Sequence, residues 1–108
     1  MNDAQYSEID DIVKSILSSV PALEIYLFGS FAKGDERNDS DYDFYVVIPD
    51  ESGMRELEAN RAIRKSLRGK QKRSIDMLVG TQSKFNRRKT FFYSIENEII
   101  EKGIKLYG

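Results

Sequence analysis

The chain has 108 residues, 40% of them hydrophobic, with 17 basic against 18 acidic side chains and neither cysteine nor histidine. That length predicts one domain, residues 1–108, around one core, and the composition is that of a globular protein rather than a disordered one. Lack of cysteine excludes disulfides, thiolate nucleophiles and thiolate-held metal; lack of histidine removes the usual base near neutral pH and the commonest transition-metal ligand. Chemistry here falls to carboxylates, hydroxyls, Lys, Arg and backbone dipoles, a set suited to a hard cation such as Mg²⁺ and to phosphate oxygens. The apolar stretches are far shorter than the roughly 20 residues of a membrane helix. The polar, acidic start Met-Asn-Asp-Ala-Gln-Tyr lacks the order of a secretory signal, so a cytoplasmic protein with no membrane partner is expected.

Ile9, Ile12, Val13, Ile16, Leu17 and Val20 recur at helical spacing, which predicts an amphipathic first helix ended by Pro21. Leu23, Ile25 and Leu27 alternate with Glu24, Tyr26 and Phe28 as a first strand running into Gly29-Ser30. Ser30 to Lys33 suits a short helical turn closed by Gly34, and Asp35 to Ser40 a polar loop. A second strand spans Tyr42 to Ile48, with Pro49 as its stop. A helix from about Glu51 to Arg68 follows, with Ala59, Ala62, Ile63 and Leu67 along one side. A third strand covers Ser74 to Val79, then a helical region Thr81 to Asn86. A last helix runs near Phe91 to Lys102, with Phe92, Ile95 and Ile99 as its apolar stripe, and a final short strand covers Ile104 to Tyr107. Helices alternating with strands predict a layered α/β sheet. The helical connection between the second and third strands predicts that these two are parallel neighbours.

Three groups of residues carry the chemistry: Gly29-Ser30 with Lys33, then Asp41 and Asp43, and later Asp76. Asp41 and Asp43 open the second strand two residues apart, so their carboxylates share a face at roughly 7 Å along the backbone. Asp76 stands within the third strand where an apolar residue would be expected. Side by side, the two strands bring all three acids to one patch, where their repulsion is costly without a cation. A pair of metal ions would relieve it and serve phosphoryl chemistry. A strand turning through glycine into a helix start exposes backbone N–H groups to a phosphate, and Lys33 stands one helical turn on. Taken singly, each feature has a plainer reading as a turn, a cap or an exposed strand position. A P-loop does not fit, because Asp35-Glu36 stands where Lys-Ser/Thr is required. Neither does a calcium loop on Asp39, Asp41, Asp43 and Asp50, because Phe44 occupies its glycine position.

Gly29-Ser30, ten intervening residues and Asp41-Tyr42-Asp43 resemble the motif of the polymerase β-type nucleotidyltransferase superfamily, in particular its minimal, antitoxin-type branch, whose partners are HEPN proteins. The end of the chain, Glu-Lys-Gly-Ile-Lys-Leu-Tyr, is similar to the tail of that branch. The resemblance implies a nucleotidyltransferase fold, a small mixed β-sheet flanked by helices. It implies that Asp41 and Asp43 hold Mg²⁺, two ions in all. Asp76 would be the third carboxylate, aiding a metal or accepting the hydroxyl proton, while Gly29 and Ser30 grip the triphosphate of a co-substrate such as ATP. Members of the branch often carry arginine where Phe31 and Lys33 stand. Lys33 keeps the charge without the bidentate fork, Phe31 keeps neither, and Arg37 is a candidate substitute.

Larger relatives append a helical domain that positions the acceptor, and this sequence has none, so the acceptor is expected on another molecule. The resemblance implies transfer of AMP to a tyrosine of a helical HEPN-type toxin. The basic run Arg61, Arg64, Lys65, Arg68, Lys70, Lys72 and Arg73 is a candidate docking face for such a partner, or else a solvated surface; a second short run is Arg87, Arg88, Lys89. A small-molecule or nucleic-acid acceptor is the alternative, the latter with steep salt dependence. An antitoxin that masks its partner without catalysis is the third reading, which the clustered acids argue against.

Overall fold

The computed structural model of the chain describes residues 1–70 and 72–108. Helix α1 spans Asp3–Ser19, starting ahead of the apolar repeat because Asn2 caps it. The Asn2 side-chain oxygen accepts from the Gln5 amide at 2.8 Å, and the Gln5 side chain accepts from the Asn2 amide at 2.9 Å, a reciprocal cap that uses two otherwise unpaired donors. Strand β1 (Glu24–Phe28) passes directly into the single-turn helix α2 (Gly29–Lys33), which Gly34 closes in the left-handed conformation. Strand β2 is Tyr42–Ile48.

Several predicted boundaries shift. The helix expected from Glu51 is broken: Asp50–Ser52 make one 3₁₀ turn, Gly53 adopts φ 70°, and α3 runs from Glu56 to Leu67. A left-handed glycine ends a helical segment at little cost, and the chain must restart beyond it. Strand β3 is Ile75–Thr81, longer than predicted because its pairing with β2 continues to Ile48 opposite Thr81. The last two helices are α4 (Gln82–Arg88) and α5 (Ile95–Lys102). α5 starts later than expected because the Ser94 hydroxyl caps it, accepting from the Asn97 amide at 3.0 Å. Phe92 therefore lies in the connecting turn, 87% exposed, and not in the apolar stripe, whereas Ile99 is buried as predicted. Strand β4 is Ile104–Tyr107.

The four strands form one mixed sheet in the order β3-β2-β1-β4. β1 is antiparallel to both its neighbours, and β2 and β3 are parallel, as the intervening helix predicts. Strand alternation sorts the core into two layers. On one face Ile25, Leu27, Phe44, Val46 and Met77 pack under Ile12 and Ile16 of α1 and Ile63 of α3. On the other, Tyr26, Phe28, Tyr45 and Val47 pack under Phe85 of α4 and Ile99 of α5. Among the described residues no helix is long and apolar enough to cross a membrane.

The second layer encloses a charge. Glu96, 3% exposed, accepts from the Tyr45 hydroxyl at 2.8 Å and from Arg88 Nε at 2.9 Å. Burial opposes its ionisation, but the hydrogen bonds from Tyr45 and Arg88 outweigh it and hold the carboxyl below its usual range. The Tyr45 hydroxyl reaches Glu96 across Gly80, where a Cβ would collide with the phenol. Gly80→Ala is therefore expected to cost about 1–3 kcal/mol of overpacking. Removing the obstructing hydroxyl as well, in Gly80→Ala/Tyr45→Phe, should cost less than the two single changes summed. Urea denaturation of the four proteins measures this, and strictly additive losses would contradict the contact.

Candidate active site

The end of the sheet where β1 turns into α2 collects the candidate residues. Gly29 has φ +72°, a conformation L side chains rarely adopt, and a Cβ there would strike the Asp43 carboxylate. Glycine is thus required twice, by the backbone angle and by an acid lying against its Cα. The antiparallel register accounts for the proximity, since Phe28, the residue before Gly29, pairs with Asp43. On the other side of β2, the parallel register sets Asp43 directly opposite Asp76. Both point to the α4/α5 face, as their alternation with Phe44 and Met77 dictates. Asp41 lies one residue ahead of β2 and is exposed; Asp43 is half-buried and Asp76 exposed.

The electrostatics follow from this crowding. The Asp43 carboxyl is pushed up to about 6, by burial first, then by its hydrogen bond with Asp76 and the charges of Asp76 and Asp41. No ion pair among the described residues takes in Asp41, Asp43 or Asp76; the ion pairs there join other acids to Lys and Arg. A donor set of carboxylate oxygens fits a hard divalent ion. Asp43 and Asp76 form the close pair and Asp41 acts at longer range. Among the described residues no three acids close into a preformed cage.

Gly29 and Ser30 begin α2 beside this pair. Lys33 does not point to them: its ammonium is 3.0 Å from Glu98 Oε1 on α5, in a pair about 40% exposed on each side. Phe31 turns the other way, 2% exposed, with its ring centroid 4.6 Å from that of Tyr42. Arg37 is exposed and donates its amide to the Ser40 hydroxyl at 2.7 Å. Of the basic run, Arg64 is exposed and donates from Nε to Asn60 one turn back at 2.9 Å, and Arg73 Nη1 donates to the carbonyls of Asn38 and Ser40, both at 2.8 Å. The sequence gives no sign of this use of Arg73 beyond its place just before the strand bearing Asp76.

Residues 7–106 match the family model for the nucleotidyltransferase domain. A crystal structure of a Sulfolobus solfataricus protein assigned as a nucleotidyltransferase is similar over 81% of this chain and 81% of its own, at 29% identity and a TM-score of 0.56. A toxin–antitoxin solved with AMP-PNP is similar over 92% of this chain and 72% of that one, at 19% identity and a TM-score of 0.65. A doubly substituted mutant of the toxin–antitoxin MntA-HpeT is similar over the same shares at 18% identity and a TM-score of 0.63. At such identities the last two likenesses speak to the fold. No curated protein is close enough to match.

The crowded carboxyls make stability depend on pH. Asp43 titrates near 6 in the fold and near its ordinary 3.8 in the unfolded chain. Between those values the folded protein binds more protons, so this group's contribution to stability is lost as pH rises through the window. Asp43→Asn removes the titration, and its melting temperature relative to the parent should climb between about pH 4 and about pH 7. A difference that stays constant across that range would contradict the crowding.

Proposed function

The chain belongs to the nucleotidyltransferase domain family, and we propose that it transfers AMP from ATP to an acceptor hydroxyl, using Mg²⁺ held by Asp41, Asp43 and Asp76. The observation that carries this reading is the placement of Asp43 between Gly29 and Asp76 by the two strand registers. Gly29 and Ser30 offer backbone N–H groups and a hydroxyl to the triphosphate. In the transfer, the acceptor oxygen bonds to the α-phosphorus, the bond from that phosphorus to the bridging oxygen breaks, and pyrophosphate leaves. Two Mg²⁺ ions, when bound, supply the charge that favours the acceptor alkoxide and steadies the leaving group. The acceptor's proton passes to a carboxylate, for which Asp76 is suited: it is exposed and lies on an edge strand, open to a hydroxyl carried by another molecule. Lys33 joins the triphosphate in this scheme by exchanging Glu98 for a phosphate oxygen, which its half-exposed surface pair permits.

The acceptor we favour is a tyrosine of a small helical protein of HEPN type, with this cytoplasmic chain as its antitoxin. Support comes from the fold-level likeness to toxin–antitoxin structures, one of them solved with AMP-PNP. Arg61, Lys65, Arg68, Lys70 and Lys72 remain exposed as a basic face for docking.

The test is incubation with Mg²⁺, α-labelled ATP and the product of the neighbouring gene. Label on a tyrosine of that protein is the expected result, and Asp41→Asn or Asp43→Asn should lower the transfer at least about 100-fold with an unchanged circular dichroism spectrum. Label appearing on RNA or on a small molecule would replace the acceptor. Full neutralisation of the partner by Asp43→Asn would replace catalysis by masking.

A further inference from the structure

Asp41 stands at the end of an exposed loop, yet the proposed chemistry requires its carboxylate to be held in place. Within the loop, the Ser40 amide donates to the Arg37 carbonyl at 3.0 Å and the Arg37 amide to the Ser40 hydroxyl at 2.7 Å. These bonds shape the turn without fixing it to the sheet. The Tyr42 amide, bonded to the Ser74 carbonyl at 3.0 Å, anchors β2 just beyond Asp41. Upstream of that anchor, Arg73 supplies the fixed point. One terminal nitrogen of its guanidinium donates to the carbonyls of both Asn38 and Ser40 at 2.8 Å.

The guanidinium is itself fixed. It lies 5.2 Å from the centroid of the Phe31 ring in α2 and 5.6 Å from that of Tyr42 in β2, an attraction that favours a planar cation over a flexible one. Both rings are held: Phe31 and Tyr42 are buried, and the Tyr42 hydroxyl donates to Glu8 of α1 at 3.2 Å. A path of direct contacts thus runs from α1 through Tyr42 and Arg73 to the two carbonyls on either side of Asp39, next to Asp41. Arg73 and Asp41 also line one shallow depression of about 290 Å³. Phe31 thus has the role of seating an arginine from elsewhere in the chain.

We propose that Arg73 is a positioning residue for Asp41: its guanidinium, seated on Phe31 and Tyr42, pins the loop whose end presents the metal-binding carboxylate. The inference rests on the nucleotidyl-transfer reading above. It is tested with Arg73→Gln and Arg73→Lys, neither of which removes a core side chain. Three quantities are measured: hydrogen exchange of the amides of residues 37–41, Mn²⁺ affinity in the presence of a non-hydrolysable ATP analogue, and kcat and KM for ATP. In Arg73→Gln the loop amides should exchange faster, Mn²⁺ affinity should fall about 10-fold, and kcat should fall by a similar factor with KM for ATP changed by less than about 2-fold. Arg73→Lys, which keeps the charge without the plane, should recover only part of the loss. Faster loop exchange with unchanged Mn²⁺ affinity would make the clamp merely structural and overturn the proposal, as would no change in either. A parent protein that takes up no Mn²⁺ with the analogue would instead remove the nucleotidyl-transfer reading, a result visible before any variant is made.

Discussion

The pairing of β2 with its two neighbours is the constraint on which the rest depends. β2 meets β1 antiparallel and β3 parallel, so one end of β2 meets the end of β1 and the start of β3 together. Residue 43 is where these registers intersect, opposite Phe28 on one side and Asp76 on the other. A slip of one residue in either pairing would turn an acid to the opposite face. That slip is resisted by the middle of the same strand, where Phe44, Val46, Val47 and Ile48 are fully buried and divided between two layers. Packing in the core therefore fixes a geometry at the rim that the rim, with its mutually repelling carboxyls, would not hold unaided.

Much of this was legible in the chain because it is written in local patterns. Aromatic and β-branched content and Pro49 mark β2 at Tyr42–Ile48, and Ile104–Tyr107 is a strand as its alternation predicts. A helix between two strands implied their parallel pairing, and Asp76, an acid in an apolar strand, signalled the meeting with Asp43. What the sequence did not disclose is settled by distant contacts or by local breaks that override periodicity. Lys33 is one turn from Ser30, but its charge is drawn to Glu98 across the fold. Gly53 breaks a run that helix periodicity would continue, and Ser94 starts α5 beyond the aromatic residues that mimic a helical stripe. Arg73 belongs to a basic run, yet its environment is two carbonyls and two rings from three other segments. A run of like charges reads as one surface until the fold separates its members.

The charged groups also differ in what they do. Pairs such as Lys14 with Asp10 or Arg55 with Glu58 lie mostly in water and contribute little to stability. Glu96 is different: enclosed by Tyr45 and Arg88, it joins α5 to α4 and to β2. The turn between the two helices is tied down as well, with the Ser94 hydroxyl donating to the Arg88 carbonyl at 2.6 Å and the Asn97 amide group to the Lys89 carbonyl at 2.8 Å. These ties secure the second layer of the sheet, where the aromatic core is small. They leave the β3 edge of the same face, with Asp76 and Leu78 exposed, open to approach.

The contact of the Asp43 carboxylate with the bare Cα of Gly29 has a meaning for how such a protein can diverge. Position 29 admits no side chain while aspartate stays at 43, and an aspartate there retains its seat only while 29 stays empty. The two sites thus share one evolutionary fate. A lineage that abandoned the chemistry would lose the steric half of the prohibition at 29, and drift at that glycine would be an early trace of a descendant kept for its surface alone.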